Sequence, residues 1–318
     1  MLRRAGFAIF LTAGGVVAHA AYPEKPIRMI AVSAPGGSTD ILARLYAQRL
    51  STQLSQSVVI DNRAGGGGMI ASELVARALP DGYTLLFTHT SHSVLPSLHA
   101  RLPYDPFNDF TPIGLVALTH SVLLVPPALP VKSVADLIEL ARARPGKLNY
   151  GAGSTGASAH LAAELLKLMA KIDIVHVPYK GTGAQLAALL GGEIQMSFST
   201  VPAALPHIHA GRLRALAIGS PKRISALPDV PTVAEAALPG FDVSAWNGIM
   251  APARTPAAIV ARVNSELALI ATNPEARERA AGQGTDLVSG SPQEFAAYIR
   301  AQIAKWAKVV KAAGIQAD

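Results

Sequence analysis

Residues 27–40, IRMIAVSAPGGSTD, run an apolar stretch into a glycine-rich turn and then into residues that open helices. The first six read as a buried strand. Beyond them, from 41 to 54, apolar residues fall at 41, 42, 45, 50 and 54, the spacing of one helical face. The junction between strand and helix is Ala34-Pro35-Gly36-Gly37-Ser38-Thr39-Asp40. Paired glycines let backbone approach a ligand without interference from Cβ. Ser38 or Thr39 suits a helix cap, and the N–H groups and dipole of a helix start favour an anion. An ordinary capped helix start, with Asp40 on its first turn, accounts for the same residues. This loop alone therefore leaves the function open.

Working outward, the strand-then-helix pattern repeats. A strand over 58–61 precedes the glycine run 65–68 and a helix reaching Leu79. The turn Pro80-Asp81-Gly82 leads into a strand over 83–88. After Pro126, Pro127 and Pro130 the pattern restarts, with Ser133 capping a helix over 134–143. Strands over 148–150, 174–177, 194–198 and 213–218 alternate with helices over 157–170, 184–190 and 202–210. A strand over 243–251 returns to the first half, and helices over 259–271, 275–281 and 292–313 follow. Such alternation predicts an α/β fold of βαβ units with largely parallel sheets. A chain of 318 residues exceeds one comfortable core. The expected division is two lobes, 21–122 plus 243–318 and 123–242, with crossovers near 119–125 and 241–250.

Two more strand-to-helix junctions matter, because open α/β sheets bind ligands at the carboxyl ends of their strands. Gly151-Ala-Gly153-Ser154-Thr155-Gly156-Ala157-Ser158 satisfies G-x-G-x-x-G. A dinucleotide site also needs an acidic residue about 20 positions on, at the end of the next strand. Asp173 falls before or at the start of that strand, whose tail is His176-Val177-Pro178. A phosphate loop needs lysine where Ala157 stands. A nucleotide-dependent oxidoreductase using 151–156 is thus the lesser alternative. The third junction is Pro178-Tyr179-Lys180-Gly181-Thr182-Gly183, where Tyr179 either packs or faces ligand. His89 and His92 follow a strand end, so His89 is placed in the cleft. Together the loops predict an anionic ligand held between lobes.

Composition narrows the classes. Cysteine is absent, which removes disulfides, thiolate metal sites and cysteine nucleophiles. The net charge of +7 is scattered and aromatics are 5%, without the basic, aromatic-interleaved face of a nucleic-acid binder. There is no G-x-S-x-G and no H-E-x-x-H, and His207 and His209 form the sole i,i+2 histidine pair. No catalytic residue, metal site or cofactor is expected. Residues 1–20, MLRRAGFAIFLTAGGVVAHA, have a basic start, a short apolar run and small residues at 18 and 20. That is the pattern of a secretory signal peptide cleaved after Ala20, giving a periplasmic protein.

The ordered set of motifs resembles the Bug family, the substrate-binding proteins of tripartite tricarboxylate transporters. The resemblance covers essentially the whole mature chain. It rests on the 34–40 loop, Asp61-Asn62-Arg63-Ala64-Gly65-Gly66-Gly67, Pro80-Asp81-Gly82-Tyr83-Thr84-Leu85 and Leu102-Pro-Tyr-Asp105. It continues through Pro145-Gly146, His160-Leu161, His176-Val-Pro-Tyr-Lys-Gly181, Leu213-Arg-Ala-Leu-Ala217, Leu227-Pro-Asp-Val-Pro-Thr232 and Trp246-Asn-Gly248. The resemblance implies a Venus-flytrap, type II-like periplasmic-binding-protein fold and a monomer. Its partners would be transporter membrane subunits, and its ligand a carboxylate pinched by two loops, partly through water. The expected ligand-binding residues are Pro35, Gly36, Gly37, Ser38, Thr39, Asp40, His89, Ser154, Thr155, Gly156, Ala157, Ser158, Tyr179 and Ser199. Three positions depart from the family pattern. Ser33 stands where relatives often carry an aromatic residue, Ala157 where they carry Ser or Thr, and Ser199 where many carry an acid. The last tilts the expected ligand from amino acids toward plain carboxylates. An extracytoplasmic sensor that signals is the other reading of the same resemblance.

Overall fold

The computed structural model of the chain describes residues 22–152, 158–179, 181–282 and 284–315. The expected leader, 1–20, and the loop residues Ser154, Thr155, Gly156 and Ala157 lie outside the described residues. Among the described residues, eleven strands form two sheets: β1 Ile27–Ala31, β2 Val58–Asn62, β3 Thr84–His89, β4 Phe110–Thr119, β5 Ser121–Val125, β6 Asn149–Ala152, β7 Val175–Pro178, β8 Met196–Thr200, β9 Arg214–Ile218, β10 Ala245–Pro252 and β11 Thr285–Leu287. Among them run the helices α1 Ser38–Leu54, α2 Met69–Ala76, α3 Ser91–Leu98, α4 Val134–Ala143, α5 Ser158–Ala170, α6 Thr182–Leu190, α7 Val201–His209, α8 Val233–Ala236, α9 Ala257–Thr272, α10 Pro274–Ala281 and α11 Pro292–Ala313.

The first sheet has the order β11-β4-β10-β3-β1-β2 and the second β7-β6-β8-β5-β9. Both are mixed, where the sequence predicted largely parallel sheets. Strands β2, β1 and β3 run parallel, and so do β7, β6 and β8. Strands β10, β4 and β11 are antiparallel to their neighbours, as β5 is to both β8 and β9. The cause is the way the chain changes sheet. β4 ends at Thr119 and β5 begins at Ser121, so one continuous segment serves as a strand in each sheet with only His120 between. Such a strand has no crossover helix to bring it in parallel. β4 was hidden by Pro112 and Gly114, which interrupt its apolar alternation. Pro112 is accommodated beside a register shift in the pairing with β10, a position that tolerates a missing N–H.

Each sheet has its own core. Met29, Leu50, Phe87 and Ile249 pack with Val263 and Ile270 of α9 against the first. Leu123, Val125, Tyr150 and Phe198 pack with Leu137 of α4 and Leu166 of α5 against the second. The terminal helix α11 joins both. Pro292 at its first position and the reciprocal Ser291–Glu294 capping box start it, and Gly314 at φ 63° ends it. Twenty-two residues make it about 33 Å long. Phe295 and Ile299 near its start lie in the cluster around Trp246 and Ile30, on the first sheet. Trp306, Val309 and Val310 near its end lie in the second-sheet core.

The seating of α11 explains a glycine inside β10. A Cβ on Gly248 would run into the ring of Phe295, and Phe295 packs edge-on against Trp246 with centroids 5.6 Å apart. Gly248→Ala is expected to lower stability by about 1–3 kcal/mol through overpacking. Urea denaturation checks this, and an unchanged midpoint would show that α11 is loosely seated.

Candidate functional site

The carboxyl ends of β1 and β3 face those of β8 across a cleft made by both sheets. One part, about 400 Å³, is lined by Ser38 and Thr39 of α1, by His89 at the end of β3 with Thr90 and Ser91 beyond it, and by Asn247 of β10. Val94, Leu95 and Leu98 of α3 and Leu161 of α5 complete its apolar side. The other part, about 170 Å³, is lined by His120, Ser121, Thr182, Gln185 and Ser199 among others. Thr119, Ser158, Thr200 and Ala245 line both parts, so the two are continuous. Among the described residues, no Lys, Arg, Asp or Glu lines either.

The start of α1 shows why the 34–40 loop ends here. Pro35 followed by Gly36 at φ 84° is the residue pattern of a type II turn, which requires positive φ at its third position. Gly37 is the N-cap at φ −76° and no side chain caps the helix. The first helical bond runs from Ile41 N–H to the Gly37 carbonyl at 3.0 Å. N–H groups ahead of that bond have no intrahelical partner. Asp40 does not cap them. Its carboxylate, 2% exposed, accepts from Gly36 N–H at 2.9 Å, Arg44 Nε at 3.0 Å and Asn62 Nδ2 at 2.8 Å. Burial alone would push its pKa up. The hydrogen bonds from Arg44, Gly36 and Asn62 outweigh burial and hold the carboxyl below the usual carboxylate range.

The predicted residues therefore separate. Ser38, Thr39, His89 and Ser158 come together in the larger part of the cleft, and Ser158 and Ser199 in the smaller. Pro35, Gly36 and Gly37 form the exposed rim and do not line it. Asp40 turns inward and braces the loop. Tyr179 packs with the apolar cluster of α6 and α7, beside Gly151, and lines neither part. His89 Nδ1 accepts the Ser91 N–H at 3.2 Å. Burial, with His92 nearby, pushes its pKa down to about 4, so the imidazole is neutral and carries its proton on Nε2. Asn247 escaped the sequence reading, although a lone amide inside the apolar run AWNGIMAP is a legible signal. His120 and Ser121 also escaped it, because they sit at a crossover and not at a glycine loop.

Comparison with known proteins agrees with this architecture. The profile of the tripartite tricarboxylate transporter family receptor matches residues 42–315. Protein BugT of Bordetella pertussis is 38% identical over 311 residues, covering 96% of this chain and 95% of the relative. The structure of Rpa4515 from R. palustris with adipate superposes with a TM-score of 0.79 at 39% identity, covering 93% and 99% of the two chains. MatC from Rhodopseudomonas palustris with bound malate gives 0.74 at 32% identity, covering 91% and 100%. These are two-lobed periplasmic binding proteins, and so is the fold described here. The chain belongs to the tripartite tricarboxylate transporter receptor family, the solute-binding proteins of that transport system.

Proposed function

We propose that the protein is a periplasmic receptor that captures a small carboxylate in the cleft and delivers it to transporter membrane subunits. The observation that carries this reading is that two helix starts, one above each sheet, line a single cavity with no charged side chain among its described lining residues. Ser38 and Thr39 open α1 on one side and Ser158 opens α5 on the other. Free N–H groups at such starts favour an anion, and each charge-assisted hydrogen bond contributes about 1.5–3 kcal/mol. The neutral His89 Nε2–H adds a further donor. Relatives that hold adipate and malate support the ligand class. Bridging waters would complete the contacts of a ligand smaller than the cavity.

In this reading the lobes are 21–122 with 243–318, and 123–242, closing as a monomer about the strand crossover at His120. Residues 1–20 direct export and are removed. Among the described residues, no helix is long and apolar enough to cross a membrane. N-terminal sequencing of the protein from the periplasm is expected to begin at Ala21. An intact Met1 there would contradict cleavage.

Gly37 offers the direct test of the anion site. Its φ of −76° suits any residue, and an added Cβ meets only the Ala34 carbonyl oxygen, at 3.7 Å. Gly37→Asp therefore folds, and the new carboxylate caps the N–H groups of α1 itself. Adipate and malate affinity is expected to fall at least about tenfold, the loss of one charge-assisted bond. The melting temperature is expected to hold or rise. Calorimetric titration beside a melting curve reads both. Unchanged affinity for a ligand that wild type binds would remove this loop from the site.

A further inference from the structure

Away from the cleft, α1 and α10 enclose a groove above the first sheet. Two cavities in line make it, about 240 and 330 Å³, and they share Leu45, Gln48 and Arg279. None of the residues lining the groove lines the cleft. Along α1 it runs from Ile41 to Thr52, about 16 Å at the rise of a helix. An extended chain covers that length in about five residues. Leu45 belongs to its floor, and Ile41 at one end is 42% exposed, a large apolar side chain that the fold leaves in water.

The groove is positively charged. Arg44, Arg49 and Arg279 line it against one acid, Glu275. Arg49 pairs with Glu275 at 2.7 Å, and Arg44 with the buried Asp40 at 3.0 Å. Arg279 is exposed, lines both cavities, and has no ion pair or side-chain hydrogen bond among the described residues. A free guanidinium presents a planar fork of donors that fits a carboxylate through two parallel hydrogen bonds. Beside an apolar floor it suits an acidic residue whose chain neighbours are apolar. The two walls also lead to the cleft. Asp40, held by Arg44, accepts from Gly36 N–H and so braces the 34–40 loop. Beyond α10 the chain reaches Gly284, whose carbonyl accepts the His120 N–H at the sheet crossover, at 3.0 Å.

We propose that this groove docks an acidic, extended periplasmic segment of the transporter's membrane subunit, with a carboxylate on Arg279 and an apolar side chain over Ile41 and Leu45. The inference rests on the receptor reading above and adds the surface by which the receptor meets its partner. A recess between two helices admits a single chain and excludes a flat bilayer. The docked segment contacts the helix whose first turn opens on the ligand and the helix that leads to the crossover. It therefore touches both elements through which ligand occupancy and lobe position act.

Photocrosslinking of the full chain in its native cell tests the contact. The crosslinker p-benzoylphenylalanine stands in place of Thr52, at the end of the groove, or in place of Leu168 of α5 as the reference; both positions are exposed. Irradiation is expected to join position 52 to an acidic periplasmic segment of a membrane subunit, identified by mass spectrometry, and position 168 to none. Arg279→Glu is expected to cut that yield at least about tenfold by placing like charge against the segment. Its melting temperature and adipate titration are expected to match wild type, since Arg279 lies outside the cleft. No membrane-subunit product from position 52, equal products from both positions, or a yield that Arg279→Glu leaves unchanged overturns the docking groove. A product with lipid or with a second copy of this chain overturns it likewise. In each of these cases the receptor reading stands. That reading fails separately, if wild type binds no carboxylate in titration.

Discussion

A carboxylate removed from water must be paired, and the pairing of Asp40 organises the site. Its three donors come from the turn before α1, from the next turn of α1 and from the end of β2. Arg44 closes the set by donating to Asn62 Oδ1 at 3.1 Å, and Asn62 Nδ2 donates to the Ser33 carbonyl at 3.0 Å. The loop, the helix and the neighbouring strand are thereby held in one register. The negative charge complements the dipole of α1 while leaving the N–H groups of its first turn uncapped. A carboxylate one turn earlier would have filled that position itself.

The second determinant is the passage from sheet to sheet. His120 N–H donates to the Gly284 carbonyl at 3.0 Å, and its own carbonyl accepts from Val201 N–H at 3.2 Å. The crossover is thus bonded to the β11 side of one sheet and to the start of α7 above the other. Because β4 and β5 form one segment, the ends of both sheets meet at the same point, and the cleft lies there. Helix α11 spans the division, with apolar residues near each of its ends in a different core. Motion about the crossover must carry this helix with it or bend it, which favours a small hinge movement over wide opening.

Much of this was legible in the chain. The parallel triads β1–β3 and β6–β8 read as short apolar runs because glycine and proline turns bound them. Ser38, Thr39, His89 and Ser158 are legible as cleft residues because each lies at or after a strand end, where α/β sheets bind ligands, and Ser199 through the family resemblance. The antiparallel strands were less legible. Pro112 and Gly114 mask β4, Pro96 masks α3, and β11 is only three residues long. Asp40 read as a ligand residue since sequence shows its place on the first turn but not Asn62, 22 positions away. Long-range partners likewise conceal His120, whose Nε2 pairs with Asp286, 166 positions away.

The central claim is that the free N–H groups of α1 hold the carboxylate of the ligand. Crystals grown with 3-bromopropionate test it most directly, since anomalous scattering locates the bromine and fixes the orientation of the acid. The account predicts one bromine peak in the cleft, with carboxylate oxygens about 3 Å from the Ser38 or Thr39 nitrogen. A carboxylate bound elsewhere, with the start of α1 facing only solvent, would contradict it.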